Sequence, residues 1–295
     1  MTAAAITPAR PPGSPKGSGF WGAFARNKGA VIGLVFLTLV VLMAVFADVL
    51  YPASPWDMTA MPFQPPLSED ALLGSDTLGR DIASGIAHGA RVSLLIGLTS
   101  TAVAVLIGVF LGAISGFYGG RVDDLVMRFT ELFQTIPNFV LAVVLVAIFT
   151  PSLTSIVLAI AIVSWPPLAR LARGEFMSLR SREFVHAAVT TGQSNLTIIW
   201  RQILPNSLSP IIVSASLMVA TAILLESSLS FLGLGDPNLM SWGYMVGAAR
   251  TVIRQAWWMS FFPGIAILLT VLALNLVGEG LNDALNPKLA RKGRS

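Results

Sequence analysis

The chain has 295 residues, 54% of them hydrophobic and only 12% charged, with a mean hydropathy of +0.74. Soluble domains carry about 25% charged residues, so a water-soluble globule of this length would lack the polar surface to cover itself, and a polytopic membrane protein is expected. The net charge of +4 does not mark a nucleic-acid partner, because the 19 Lys and Arg gather at the two tails and in one central loop. The absence of cysteine excludes a disulfide framework, thiol catalysis and Cys-ligated metals.

In chain order, the tail over 1–29 contains Pro8, Pro11, Pro12, Gly13 and Pro15 and reads as a disordered lead-in. The first apolar run, Val31–Leu50, carries Asp48 at its outer edge. It is too long, too far from the start and too poor in cleavage-site residues for a signal peptide, so it is expected to stay as an anchor. Val92–Phe117 carries no charge. None appears between Glu131 and Arg170 either, and Thr150-Pro151-Ser152 divides that stretch into two expected crossings. Leu208–Leu225 and Ala256–Val277 complete six expected spans of about 20 residues, the length a bilayer requires. With the N-terminus inside, the inner segments hold 15 Lys and Arg and the outer ones 4, which puts both termini in the cytoplasm. The chain then divides into a cytoplasmic tail (1–29), a first span with an extracytoplasmic segment (30–90), a five-helix core (91–281) and a cytoplasmic tail (282–295).

Within the core, the loop at about 173–206 holds the sharpest pattern. Glu183 to Thr191 forms a short helix, Gly192 ends it in a left-handed conformation, and Ser194 or Asn195 caps a second helix. Pro205 is expected to forbid continuation. Phe184, Ala187, Ala188 and Thr191 share one face of the first helix, and Leu196, Ile199 and Ile203 share one of the second. Two readings follow: a helix pair lying on the inner membrane surface, or a pair seated in another protein's groove.

Ala187, Ala188, Gly192, Leu204 and Pro205 resemble the EAA motif of permease subunits in binding-protein-dependent ABC importers: E-A-A, three residues, Gly, nine residues, then x-x-L-P. His186 stands where that motif has Glu. Further stretches resemble the peptide and nickel "C" permeases: Leu73 to Asp81 followed by Gly89 to Leu94, Gly116 to Gly120 with Asp123, Glu226 to Gly235, and Phe262-Pro263-Gly264 with Pro287. The resemblance spans about residues 28–288. It implies an all-α, six-helix, MetI-like type I importer fold in a bacterial inner membrane. It also implies a coupling loop docked on cytoplasmic ATPases, a related "B"-type permease as second half of the pathway, two ATPase subunits and an extracytoplasmic binding protein. Short peptides are the expected cargo, with nickel chelates, glutathione and opines left open.

Several residues carry alternative readings. Gly112 and Gly116 have small-xxx-small spacing, which indicates helix packing. Glu131 forms either a local pair with Arg128 or part of a gate. Glu226, beside Ser227 and Ser228, faces a translocation cavity or packs against a partner subunit. Asp76, Arg80 and Asp81 form an ion-paired extracytoplasmic turn or a docking site for the binding protein. Glu279 and Asp283 are expected at the surface. His88 and His186 lie on opposite sides of the membrane and are not expected to form one metal site. The chain has no G-x-x-x-x-G-K-[ST] loop and no nucleophile–base pair or carboxylate dyad. It is therefore expected to be no enzyme and to bind no cofactor, ATP and Mg being held by the partner ATPases. A stand-alone secondary transporter is the rival; the charge-free second span counts against it.

Overall fold

The computed structural model describes residues 20–285. These are helical, with no strand among them; three isolated bridges lie within 51–81. The elements are α1 (Phe20–Phe24), α2 (Lys28–Val45), α3 (Ala47–Leu50), α4 (Ile82–Tyr118), α5 (Gly120–Gln134), α6 (Asn138–Ile148), α7 (Leu153–Arg180), α8 (Glu183–Thr190) and α9 (Asn195–Thr197). A π-helical segment (Ile198–Ile203) then leads into α10 (Leu204–Phe231), followed by α11 (Trp242–Ala249) and α12 (Trp258–Leu285). The outer parts of both tails, including Pro287 and the proline-rich lead-in, lie outside the described residues.

Five helices are long and apolar enough to cross a bilayer: α2, α4, α7, α10 with its preceding turn, and α12. The crossing expected between Glu131 and Thr150 is not one continuous helix. It is a pair, α5 and α6, bent by 82°. The 11 residues of α6 reach about 16 Å, roughly half the hydrocarbon thickness. The physical reason lies in the sequence around the bend. Pro137 offers no N–H and stands at the start of α6, while α5 carries Asp123, Asp124, Arg128 and Glu131 and is amphipathic.

Other boundaries move too. The helix expected from Val92 begins at Ile82, because Asp81 caps it by accepting from Ala83 N and Ser84 N at 3.0 and 3.1 Å. The first span ends at Val45, and Asp48 falls in the separate turn α3. The last span extends to Leu285, where Asp283 accepts from Asn27 Nδ2 at 2.9 Å. Asp283 is thus a tie between the two ends of the described chain rather than a free surface charge. Glu131 and Arg128 are both exposed and form no ion pair among the described residues.

The bundle is held by close backbone approach. The most extensive packing is α4 against α7. A Cβ on Gly112 would lie 2.4 Å from Ala169 O, and one on Gly116 would lie 2.5 Å from Arg173 O. The small-residue spacing is therefore a packing device. Around the largest core cluster, Trp242 is fully buried among Ile223, Val219, Met245 and Met259. Its indole donates to Ile86 O at 2.9 Å, tying α11 to α4.

Candidate functional site

The loop end of the bundle is built on α7. Arg173 makes a two-pronged ion pair with Asp123 of α5, with Nη2 2.5 Å from Oδ2, and Ser115 of α4 donates to the same carboxylate. Three helices are thereby pinned beneath the loop. Sequence reading assigned Asp123 and Arg173 no role; the signal for them was a pair of acids beginning three residues after Gly120, with a basic helix end elsewhere in the chain.

Gly192 ends α8 as expected, at φ +76°. Gln193 N donates to Ala188 O and Gly192 N to Val189 O, at 3.1 and 3.0 Å, which is the two-bond arrangement of a glycine-terminated helix. Ser194 is the cap of the next turn, accepting from Thr197 N at 3.3 Å. Pro205, however, does not stop the chain. It sits in the first turn of α10, where a missing N–H is tolerated, and Leu204 N reaches back five residues to Ile199 O through the π-helical turn. The loop is thus rigidly continuous with a span.

The loop has two faces, and their membership differs from the expectation. Val185, Ala188, Ile198, Ile199 and Ile203 are buried against Phe176, Phe117 and Ala113. Ala188 therefore leaves the expected outward set. Leu196 leaves the expected Ile199–Ile203 set and is exposed, because the wider π winding brings Ile198 and Ile203, five apart, to the inner side. Phe184, His186, Ala187, Val189, Thr191, Leu196 and Trp200 face outward. Trp200 is 61% and Leu196 65% exposed.

At the opposite, cap end, Asp76, Arg80 and Asp81 are engaged within the chain. Asp76 Oδ1 accepts from Leu78 N and Arg80 N at 2.8 and 2.9 Å, and Arg80 lies 3.9 Å from Asp76 and 4.7 Å over the Trp56 ring. Beside them, buried Ser75 donates to Met61 O and accepts from Gln64 N, while Trp258 Nε1 donates to Ser75 O at 3.0 Å. His88 Nε2 lies 3.1 Å from Tyr51 O; His186 is at the loop end. Arg91 bonds Ala44 O, Val45 O and Asp48, and its guanidinium holds the Asp48 carboxyl below the usual carboxylate range.

Glu226, expected at a cavity or a partner interface, is buried inside the chain. Its carboxylate accepts from Ser230 and Ser241 at 2.8 and 2.7 Å, and Ser241 in turn caps α11 through Tyr244 N. It links α10 to α11 with its polar atoms satisfied. Its neighbours Ser227 and Ser228 do line a cavity of about 270 Å³, with Phe139 at the bend and Phe231. One face of α10 is therefore a surface and the other a tie.

Five long apolar helices plus one bent pair, a two-faced loop continuous with α10, and an open cavity at the α5–α6 bend describe a helical membrane bundle. Residues 108–291 match the binding-protein-dependent transport system inner membrane component, and residues 17–66 match the N-terminal transmembrane domain of oligopeptide transport permease C. The chain belongs to this permease family. A di/tripeptide transport system permease protein of Pseudomonas aeruginosa is 44% identical over 277 residues, covering 92% of this chain and 91% of the relative. An oligopeptide transport system permease protein of Bacillus subtilis is 37% identical, covering 91% and 88%. Among solved structures, a chain of the MetNI methionine ABC transporter in an inward-facing conformation superposes with a TM-score of 0.58 at 14% identity, over 68% of this chain and 96% of that one. This last likeness is one of fold. The resemblance read from Ala187 to Pro205 and the peptide-type segments is borne out at the level of family and fold.

Proposed function

We propose that the protein is one of two permease chains of a peptide importer, and that the segment Phe184–Pro205 is its lever for a cytoplasmic ATPase. The observation that carries this is the two-faced loop. Its inner face is welded to the α4–α7 pair by Phe176, Ile198 and Ile203, and its outer face offers Phe184, Leu196 and Trp200 to a partner. Exposed aromatics of this kind are the anchors of protein interfaces. Because the π turn runs into α10 without a break, a push on the outer face is delivered to a span rather than absorbed by a hinge.

The peptide relatives support short peptides as cargo. In this reading both termini are cytoplasmic, in accord with the distribution of Lys and Arg. ATP and Mg are bound by two ATPase subunits, a "B"-type permease completes the pathway, and an extracytoplasmic binding protein delivers the peptide. The chain itself carries no catalysis. ATP binding draws the ATPases together and moves the loop; hydrolysis resets it, as a shift between two packed states.

The test is ATP turnover and peptide uptake by the reconstituted complex with loaded binding protein, comparing wild type with Gly192→Pro. Proline cannot adopt φ +76° and removes the N–H that reaches Val189 O. The complex is expected to assemble while stimulated turnover drops to the unstimulated rate. Normal stimulation and uptake would sink the coupling assignment.

A further inference from the structure

Four arginines lie in the segments at the cap end: Arg80, Arg91, Arg250 and Arg254. Arg80 faces Asp76, and Arg91 holds Asp48. Arg250 has no carboxylate among the described residues; its one bond is from Nη1 to Phe231 O at 3.3 Å. Asp236, the acid nearest in sequence, is spent on Leu153 N and Asn238 N at 3.0 and 2.9 Å. Most of the guanidinium's five donors are thus uncommitted. Arg250 lines a cavity of about 240 Å³ together with Phe231, Gly233, Pro237 and Tyr244. Phe231 also lines the cavity of about 270 Å³ that holds Ser227, Ser228 and Phe139. A cation without a carboxylate therefore lines one of two open cavities that share Phe231, the second of which reaches Ser227, Ser228 and, at the α5–α6 bend, Phe139.

We propose that Arg250 receives the terminal carboxylate of a short peptide as it leaves the binding protein and turns into the pathway. The inference deepens the peptide-importer reading above and rests on it. A planar guanidinium is the side chain best matched to a carboxylate, which it grips with two parallel N–H bonds. Beside the apolar ring of Phe231, Gly233 has no heavy atom within 4 Å of where a Cβ would stand, which leaves room for an incoming chain. Exposure of Arg250 to water keeps the grip loose enough for release. Glu226, the nearby acid on α10, is fully occupied by Ser230 and Ser241 and does not neutralise the arginine.

The experiment uses the complete importer in proteoliposomes, with trialanine as the free acid and as its C-terminal amide. Affinity of the binding protein for both peptides is measured first by calorimetry, so that each is supplied at saturation. Arg250→Gln is expected to slow uptake of the free acid by about tenfold, the scale of a lost charge-assisted hydrogen bond, and to leave the amide at the wild-type rate. Arg250→Lys is expected to retain part of the acid preference. Equal slowing of both peptides would show that Arg250 merely caps α10, and no change in either would show that the carboxylate never reaches it; both overturn the inference. If Arg250→Gln fails to assemble, the acid-to-amide ratio in Arg250→Lys decides, and a ratio equal to wild type overturns it. Wild-type vesicles that carry neither peptide would overturn the peptide-importer reading itself, and this inference with it.

Discussion

The two loop regions that close the bundle use similar residues in opposite ways. At the cap end, Asp76, Arg80, Asp81 and Ser75 turn their polar groups onto neighbouring backbone, and Trp258 is buried beneath them with its indole bonded to Ser75 O. At the loop end, the apolar residues Val185, Ile198 and Ile203 are spent inward, while Trp200, Leu196 and Phe184 stay in contact with solvent. The polar groups of the first region are spent within the chain; the second keeps an exposed apolar face, which the proposed reading gives to an ATPase. A string of charges is thus no guide to a docking surface when backbone N–H groups lie within reach.

This contrast can be broken or sharpened by substitution. The largest effect on stability is expected from Gly79→Val. Gly79 sits at φ +83°, and a Cβ there would lie 2.1 Å from Ala60 O. Left-handed strain and a backbone clash together cost about 3 kcal/mol or more. Limited proteolysis should cut the 51–81 segment, with turnover falling only as the folded fraction falls. A Gly79→Val protein with a normal melt would mean that the cap is not a rigid unit.

Asp81→Ala comes next. Removing the cap of α4 costs about 1 kcal/mol, read as a lower melting temperature. Binding-protein affinity, measured on the assembled complex, is expected to be unchanged; a large loss of affinity with an unchanged melt would restore the docking role for this cluster. Trp200→Ala reverses the pattern. At a 61% exposed position its effect on stability stays within about 0.5 kcal/mol, yet the loss of an interface anchor weakens ATPase association by about 2 kcal/mol. Co-purification and stimulated turnover measure the second quantity, and intact association would remove Trp200 from the interface.

The smallest effect concerns pH. Arg91 holds the Asp48 carboxyl lowered in the folded chain. The stabilisation from that pair is fully present above the carboxyl's ordinary range, declines as pH falls below it because the unfolded chain takes up its proton first, and is gone below the lowered value. Acidification into and below the ordinary carboxylate range leaves the folded tie between α3 and α4 charged while the unfolded chain protonates, so the wild-type melt should fall relative to that of Asp48→Asn across that range. A wild-type melt that runs parallel to that of Asp48→Asn through that range would contradict the assigned direction.

Much of the candidate site was legible before any coordinates. Gly192 was readable because a left-handed residue after a short amphipathic stretch has few alternatives to glycine. Pro205 was misread because proline's prohibition applies to helix interiors, and the preceding π turn places it in a first turn instead. Leu196 was assigned to the wrong face because a period of 3.6 was carried into a segment wound more widely, and Ala188 because the α-helical period of α8 does not say which of its faces, the one with Val185 or the one with Phe184, meets the core.

Composition and charge placement alone determined that the chain is a membrane bundle and, in the proposed reading, which way it is threaded. Those properties follow from transfer of groups between water and hydrocarbon, which each residue carries with it. Only the tertiary structure decided that Glu226 is a tie rather than a wall of the cavity, that Asp123 is claimed by Arg173, and that Arg250 is left without a carboxylate. Pairing of polar groups is a property of distance and direction between elements far apart in the chain, 50 residues for Asp123 and Arg173, and no local pattern encodes which donor a buried or half-buried charge will meet.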